Sequence, residues 1–202
     1  EQFKQSASVL DEEARRLLFT EARSQNGWLD RPVAEDVLRE IYALAKMGAT
    51  SMNGSPAHFA FINSEEGKER LRPTILPFNL EKVMIAPVVT IIAHDEEFYK
   101  NLEKLFPHSP GADSLFKNDH DLAQITAFRN GTLQGAYFML AARAVGLDCG
   151  PMSGFDNTAV DKEFFSGSSL KSNFLCCLGY GDPKKIFGRF PRLEFNEACT
   201  LI

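Results

Sequence analysis

The sequence predicts a single α+β domain, and two kinds of run predict it. Ala86 to His94, APVVTIIAH, and Ser172 to Leu178, SNFLCCL, are apolar almost without interruption, as strands covered on both faces are, and Ala57 to Asn63 alternates. Asp11 to Ala22, Val33 to Met47 and the stretch from Leu122 to Val145 instead repeat apolar residues three and four apart, the spacing of one helix face. The chain of 202 residues is long enough for a full core, and its 44% hydrophobic and 24% charged content is that of a globular protein.

Residues 1–10 are expected to be a flexible N-terminal segment of a domain spanning 1–202. The first helix turns Ala14, Leu17, Leu18 and Phe19 inward and leaves through Arg23-Ser24-Gln25-Asn26-Gly27-Trp28. An arginine, two amides and a hydroxyl suit phosphate or ribityl oxygens, and equally a hydrophilic turn closed by Gly27 with Trp28 as a core anchor. The second helix starts after Pro32 and buries Val37, Leu38, Ile41, Leu44 and Ala45. The small-residue loop GATSMNGSP, 48–56, then leads into the alternating strand. Such a loop lets a ligand approach backbone and short hydroxyls, and is as often a plain turn.

A short exposed helix begins at Ser64. After Pro73 and Pro77, one helical turn places Asn79 and Lys82 on a common face. Glu96 to Phe106 reads as a helix with Tyr99 and Leu102 inward, and Pro107 to Asn118 as a mobile excursion, a candidate lid. The spine of the chain is LAQITAFRNGTLQGAYFMLAARAVGLDCGPMSGFD, 122–156. One face carries Leu133, Ala136, Tyr137, Leu140, Ala141 and Ala144, and the other Ala127, Gly131, Gly135, Phe138, Ala142 and Val145, so the helix is expected to be buried on two sides. Gly146 suits a left-handed cap, and Gly150 to Asp156 a loop offering bare backbone N–H groups. Asp156 and Asn157 can cap a short helix through Phe165. Lys184, Lys185, Arg189 and Arg192 concentrate positive charge near the end, and Leu193 to Ile202 alternates weakly, as an arm reaching over a partner subunit would.

A net charge of −5 argues against nucleic acid or an anionic membrane as the main partner. No apolar run is long enough to span a membrane, and the N-terminus lacks a basic region followed by an apolar core, so a cytoplasmic protein is expected. Cys149, Cys176, Cys177 and Cys199 form no CxxC pair and are expected as reduced packing residues, with adjacent Cys176 and Cys177 on opposite faces. The four histidines share no ligand spacing with them, so no metal is expected. The glycine fingerprints of dinucleotide, P-loop and hydrolase sites do not occur.

In order and spacing, these stretches resemble the flavin-dependent nitroreductase superfamily from Leu18 onward. The spine running into GPMSGFD is similar to its dimer-interface helix and the loop beneath the flavin, GATSMNGSP to its small-residue loop, Asn79 with Lys82 to its N-x-x-K turn, and Arg189-Phe190-Pro191 to its phosphate-binding arginine. LFTEARSQNGW, FRNGTLQGAY, GLDCGPMSGFD, LGYGDP and RFPRLEFNEA further resemble the malonic semialdehyde reductases of pyrimidine degradation. The resemblance implies a central, mostly antiparallel sheet flanked by helices, with the long helix at a homodimer interface. It also implies FMN as cofactor in sites shared between subunits, NADPH or NADH as co-substrate, and reduction of the aldehyde to 3-hydroxypropanoate. The alternatives are a nitroarene or quinone reductase of the same superfamily and a flavin-binding or sensing module without turnover.

By the same resemblance Arg23 and Arg189 meet the phosphate, and Ser24 and Asn26 the phosphate or ribityl oxygens. Asn79 and Lys82 meet the pyrimidine edge, Pro151, Met152, Ser153 and Gly154 lie at the redox edge, and Ser51, Asn53 and Ser55 complete the pocket from the facing subunit. This chain departs from the family in having Asn26 where a second basic residue is common, Ser153 where a glutamate is usual, and Ser55 and Ala57 where a glutamine and an aromatic are frequent. Hydride is carried by the flavin itself. No side chain is identified as the proton donor; His58 is conceivable in that role and reads first as a structural histidine.

Overall fold

The computed structural model describes residues 9–202. The segment expected to be flexible therefore lies mostly outside the described residues. The order of elements is α1 (Glu12–Arg15), α2 (Glu35–Ala45), β1 (Ala57–Ile62), α3 (Glu65–Leu71), α4 (Pro77–Met84), β2 (Val88–Asp95), α5 (Leu102–Leu105), α6 (Ser114–Lys117), α7 (His120–Ala144), β3 (Asp148–Met152), α8 (Asn157–Phe164), β4 (Leu170–Gly179) and α9 (Phe195–Ala198). The four strands form one antiparallel sheet in the order β1-β2-β4-β3. The α+β class and the antiparallel sheet flanked by helices are as expected.

The two central strands are the apolar runs. Val88 to His94 is buried throughout, because helices cover both faces of β2. On one face Val89, Ile91, Ala93, Leu175 and Cys177 pack with Leu71, Val83 and Val160 of α3, α4 and α8. On the other, Val88, Ile92, Cys176 and Leu178 meet Leu38 and Ile41 of α2 and Phe138 and Ala142 of α7. Cys176 and Cys177 thus point to opposite cores, as strand alternation requires. Burial pushes the Cys177 thiol up to about 12, so it is a packing group rather than a nucleophile. Cys199 is exposed and packs in neither core.

Helix α7 is the spine. Asp119 caps it by accepting from Leu122 N–H at 2.9 Å, and Gly146, at φ +86°, ends it. Its small residues let it lie directly on the sheet: a Cβ on Gly131 would collide with His94, and one on Gly135 with the Phe174 ring. Only this side is covered. Leu133 and Tyr137 remain exposed, as do Ile125 and Phe128, so within one chain the helix is not buried on its second face.

Other elements differ from the sequence reading. The first helix is one α turn followed by a π turn, Arg16–Thr20, and its Leu17 and Phe19 are exposed. α2 is shorter than Val33 to Met47, and Leu44 is exposed while Leu38, Ile41 and Ala45 are buried and Val37 packs half-buried beside them. Glu96 to Phe106 is a 3₁₀ turn, Phe98–Asn101, and the single turn α5, with Phe98 rather than Tyr99 in the core. Phe116 is buried against Phe98 at 4.9 Å between centroids, which anchors the excursion after Pro107 on α7. Gly150 to Met152 belongs to strand β3, where Pro151 is tolerated because the strand is at the sheet edge. The last ten residues contain α9, with a Glu194–Glu197 capping box, and are exposed.

Candidate active site

The edge strand β3 organises the site. Ser24 forms a parallel bridge to Cys149, and Gln25 N–H donates to Cys149 O at 2.9 Å, so residues 23–26 run beside the strand. Gly150 permits this approach, since a Cβ there would press on the Gln25 carbonyl. The next residue, Pro151, lines a cavity of about 670 Å³ together with Arg23, Ser24 and Asn26. The walls are closed by Leu18 and Phe19, by Met139, Leu140 and Arg143 of α7, and by the segment Phe187 to Arg192.

This cavity is cationic without compensation. Arg23, Arg143, Arg189 and Arg192 line it, no carboxylate does, and none of these arginines forms an ion pair among the described residues. The guanidinium groups are placed by backbone carbonyls instead. Arg189 donates to Thr20 O at 2.6 Å and Ala22 O at 3.0 Å, Arg23 to Phe187 O, and Arg143 to Arg23 O at 3.1 Å. These bonds strap the C-terminal segment across the turn at 20–23. Arg143 Nε is buried with no partner, an orphaned donor of the kind an anion satisfies. The donor set fits a phosphate group, with apolar walls beside it for a flat or aliphatic portion of a ligand.

Past Pro151 the strand delivers Met152 to the core and Ser153 and Gly154 to a loop. Gly154 O accepts from Leu76 N–H and from Asn79 Nδ2, both at 3.1 Å, which staples the loop to the start of α4. Pro77 at the first helical position pre-forms that start. A Cβ on Gly154 would meet the Asn79 amide and the Phe78 ring, so a larger residue there would have to displace the amide that staples the loop. Asn79 is 3% exposed and its amide serves this carbonyl. Lys82 lies one turn on, half-buried, and its carbonyl receives Trp28 Nε1–H at 3.2 Å, tying α4 to residues 24–28.

Arg23, Ser24, Asn26, Pro151 and Arg189 therefore meet in one cavity, whereas Asn79, Lys82, Met152, Ser153 and Gly154 are not in its lining; the last three follow Pro151 in the chain, and Asn79 is bonded to Gly154. Ser51, Asn53 and Ser55 do not line the cavity of their own chain. They sit in a tight turn in which Met52, Asn53 and Ser55 all adopt positive φ (53°, 52° and 43°), unusual for residues with side chains and frequent where a loop is held for function. His58 lies on the edge strand β1, edge-on to Phe165 at 6.1 Å, away from the arginines. Burial holds its pKa below the ordinary histidine value, partly offset by Asp95.

Sequence reasoning missed Arg143, Phe187 and Phe190 as wall residues, and Asn130 and Gln134 as supports of the 51–57 loop. Arg143 carried a signal, a charge near the end of a helix otherwise poor in them. Asn130 and Gln134 were polar residues on a face packed against the sheet, and such residues are buried only when they have partners.

Comparison with known proteins bears on the fold and the family. Residues 20–181 match the model of the nitroreductase family. Proteins named for NADH dehydrogenase/NAD(P)H nitroreductase activity are 57% identical in Cupriavidus pinatubonensis and, as HadB, 58% identical in Ralstonia pickettii, each over 91% of this chain and 95% of the relative. Bacillus subtilis ydfN, described as a nitroreductase, has the same fold at a TM-score of 0.85 and 21% identity, covering 94% of this chain and 99% of its own. A structure described as an Exiguobacterium sibiricum nitroreductase in complex with FMN matches at 0.83 and 19% identity, over 96% of this chain and 99% of its own. With the family model matching most of its length, from residue 20 to 181, and relatives 57% and 58% identical over 91% of it, the chain belongs to the nitroreductase family.

Proposed function

We propose that this chain is a cytoplasmic, homodimeric FMN-dependent oxidoreductase that takes electrons from reduced nicotinamide, NADPH ahead of NADH, and reduces malonic semialdehyde to 3-hydroxypropanoate. The observation that carries the flavin reading is the carboxylate-free arginine cavity, with Pro151 of β3 in its lining three residues before the stapled Gly154 loop. A phosphomonoester matches the cavity and a polar-edged ring the loop.

Bound FMN supplies a hydride acceptor and donor at N5. In this reading Arg23 and Arg189 hold the phosphate, with Arg143 beneath them, and Ser24 and Asn26 bind the ribityl or phosphate oxygens. Asn79 fixes the Gly154 loop and borders the pyrimidine edge. Lys82 offsets the negative charge that the reduced ring acquires. Main-chain amides of Ser153 and Gly154 would serve the redox edge, with Pro151 and Met152 holding the backbone that leads to them. Ser51, Asn53 and Ser55 of the facing subunit close the pocket. One open ring face then serves donor and acceptor in turn, so steady-state kinetics are ping-pong, with parallel double-reciprocal plots. Intersecting plots contradict this arrangement.

The aldehyde is favoured by the motifs from LFTEARSQNGW to RFPRLEFNEA. A nitroarene as acceptor is favoured by the names of the two relatives near 57% identity. With NADPH as donor, kcat/KM on malonic semialdehyde is expected to exceed that on a nitroarene such as nitrofurazone by at least about tenfold, a 1.4 kcal/mol preference. The reverse ratio assigns the nitroarene. A purified protein whose bound flavin NADPH leaves oxidised is neither.

A further inference from the structure

The strained loop between α2 and β1 is held from below by two side chains with no evident role in the flavin cavity. Asn130 and Gln134, four residues apart on α7, are 2% and 3% exposed. Asn130 Oδ1 accepts from Ser51 N–H at 2.8 Å, and its Nδ2 donates to Thr126 O at 2.8 Å. Gln134 Oε1 accepts from Ala57 N–H at 2.8 Å. The helix thus grips the first and last amides of the segment in which Met52, Asn53 and Ser55 have positive φ. Within the bracket, Ser55 N–H donates to Thr50 Oγ1 at 3.1 Å, Asn53 Nδ2 donates to Leu105 O at 2.9 Å, and Gly54 has no room for a Cβ beside Phe98.

We propose that Asn130 and Gln134 are positioning residues that keep this loop in its left-handed form, and that the loop holds flavin only while both of its end amides are clamped. The inference rests on the reading that Ser51, Asn53 and Ser55 meet the flavin of the facing subunit. Buried polar side chains on a helix packed against a sheet cost stability unless they are satisfied. Here their acceptors are spent on amides six residues apart rather than on the sheet beneath. A loop whose residues disfavour its own backbone geometry relaxes when its ends are released. Because the same helix presents Leu133 and Tyr137 outward, the clamp also fixes the loop relative to the face proposed for the partner subunit.

The test uses the flavin-loaded dimer. Asn130→Leu and Gln134→Met remove the acceptors at near-constant volume, Gln134→Glu keeps an acceptor oxygen, and Ile41→Val removes a core methyl that belongs to neither the loop nor its two clamps, as a control for general loss of stability. Hydrogen exchange at Ser51 and Ala57 and FMN release on dilution are read together. Expected are about tenfold faster exchange at the released amide and about tenfold weaker FMN binding in Asn130→Leu and Gln134→Met, with recovery in Gln134→Glu and FMN affinity within about twofold of the parent in Ile41→Val. Faster exchange with unchanged FMN affinity overturns the proposal and leaves the flavin reading standing. FMN loss in Ile41→Val equal to that in the clamp variants also overturns it, by making the effect one of global stability. If the parent protein binds no FMN, the flavin reading itself falls. Should Asn130→Leu not fold, Gln134→Met against Gln134→Glu decides alone.

Discussion

Arg189 shows how a charged side chain on an exposed segment can still be well placed. Its guanidinium satisfies Thr20 O and Ala22 O, leaving its remaining N–H groups for an anion, and no carboxylate competes for it among the described residues. A charge-assisted hydrogen bond contributes about 1.5–3 kcal/mol, so Arg189→Ala is expected to weaken FMN binding by about one to two decades. A variant that keeps its full flavin complement through extensive dialysis refutes the phosphate assignment. His94 is the corresponding case in the core. It is 6% exposed, its Nδ1 has no partner, and it sits between Gly131 and the Phe128 ring. Burial lowers its pKa, with Glu96, Asp161 and Asp95 pulling the other way. The unfolded chain therefore binds a proton more readily than the folded one. The stability that neutral His94 contributes is complete above the unfolded value of about 6.5, is lost as pH falls from there toward the folded pKa, and is gone below it. His94→Gln is expected to flatten the fall in melting temperature below about pH 6.5; an unchanged slope would place the acid sensitivity elsewhere.

At the scale of elements, the sequence was most readable where burial is symmetric. The short, nearly continuous β-branched run of β2 reads as a covered strand, and the adjacent Cys176 and Cys177 do face different cores. Gly146 capped its helix because no other residue adopts φ +86° so cheaply. Reading failed where pairing rather than pattern decides. Gly150-Pro151-Met152 has the composition of a loop, yet β4 supplies a neighbour on one side and an edge strand tolerates proline. Phe98 displaced Tyr99 from the core because a 3₁₀ turn changes which residue faces inward. The 51–55 loop was recognised by its small residues, but its strain and its two supports on α7 depend on contacts about 77 to 79 residues apart in sequence. That strain makes its own prediction. Ser55 holds φ 43°, a left-handed geometry that costs an L-residue roughly 1–2 kcal/mol and glycine little. Ser55→Gly is expected to raise the melting temperature by about 2–4 °C, less the extra chain entropy of glycine, while weakening FMN if the hydroxyl serves it. A lower melting temperature would mean that the Ser55 side chain stabilises the loop more than its backbone strains it.

For the whole molecule, the deciding feature is what one chain leaves uncovered. α7 spans about 37 Å at 1.5 Å per residue, and only one of its faces lies on the sheet. Ile125, Phe128, Leu133 and Tyr137 along its other face are 42–52% exposed. Leu17 and Phe19 of the first turns are also exposed, as are Phe187, Phe190, Leu193 and Phe195 of the C-terminal segment. An apolar surface of this extent is expensive in water and is usual at subunit contacts. The sequence reading has this helix buried on two sides, with apolar residues on both; what covers the second face is beyond a single chain's contacts. In the proposed dimer that face is the interface, and the Ser51 loop of one subunit reaches the arginine cavity of the other. Two charges at its centre, Leu133→Glu with Tyr137→Glu, face each other across a two-fold contact and are buried without partners. Sedimentation is expected to show folded monomers, with the circular dichroism of the parent retained because neither residue belongs to the sheet-facing core. Those monomers should also lose FMN, since each half-site lacks its closing loop, even though every arginine is intact. A variant that stays dimeric moves the interface off α7, and monomers that retain flavin would place the whole site within one chain.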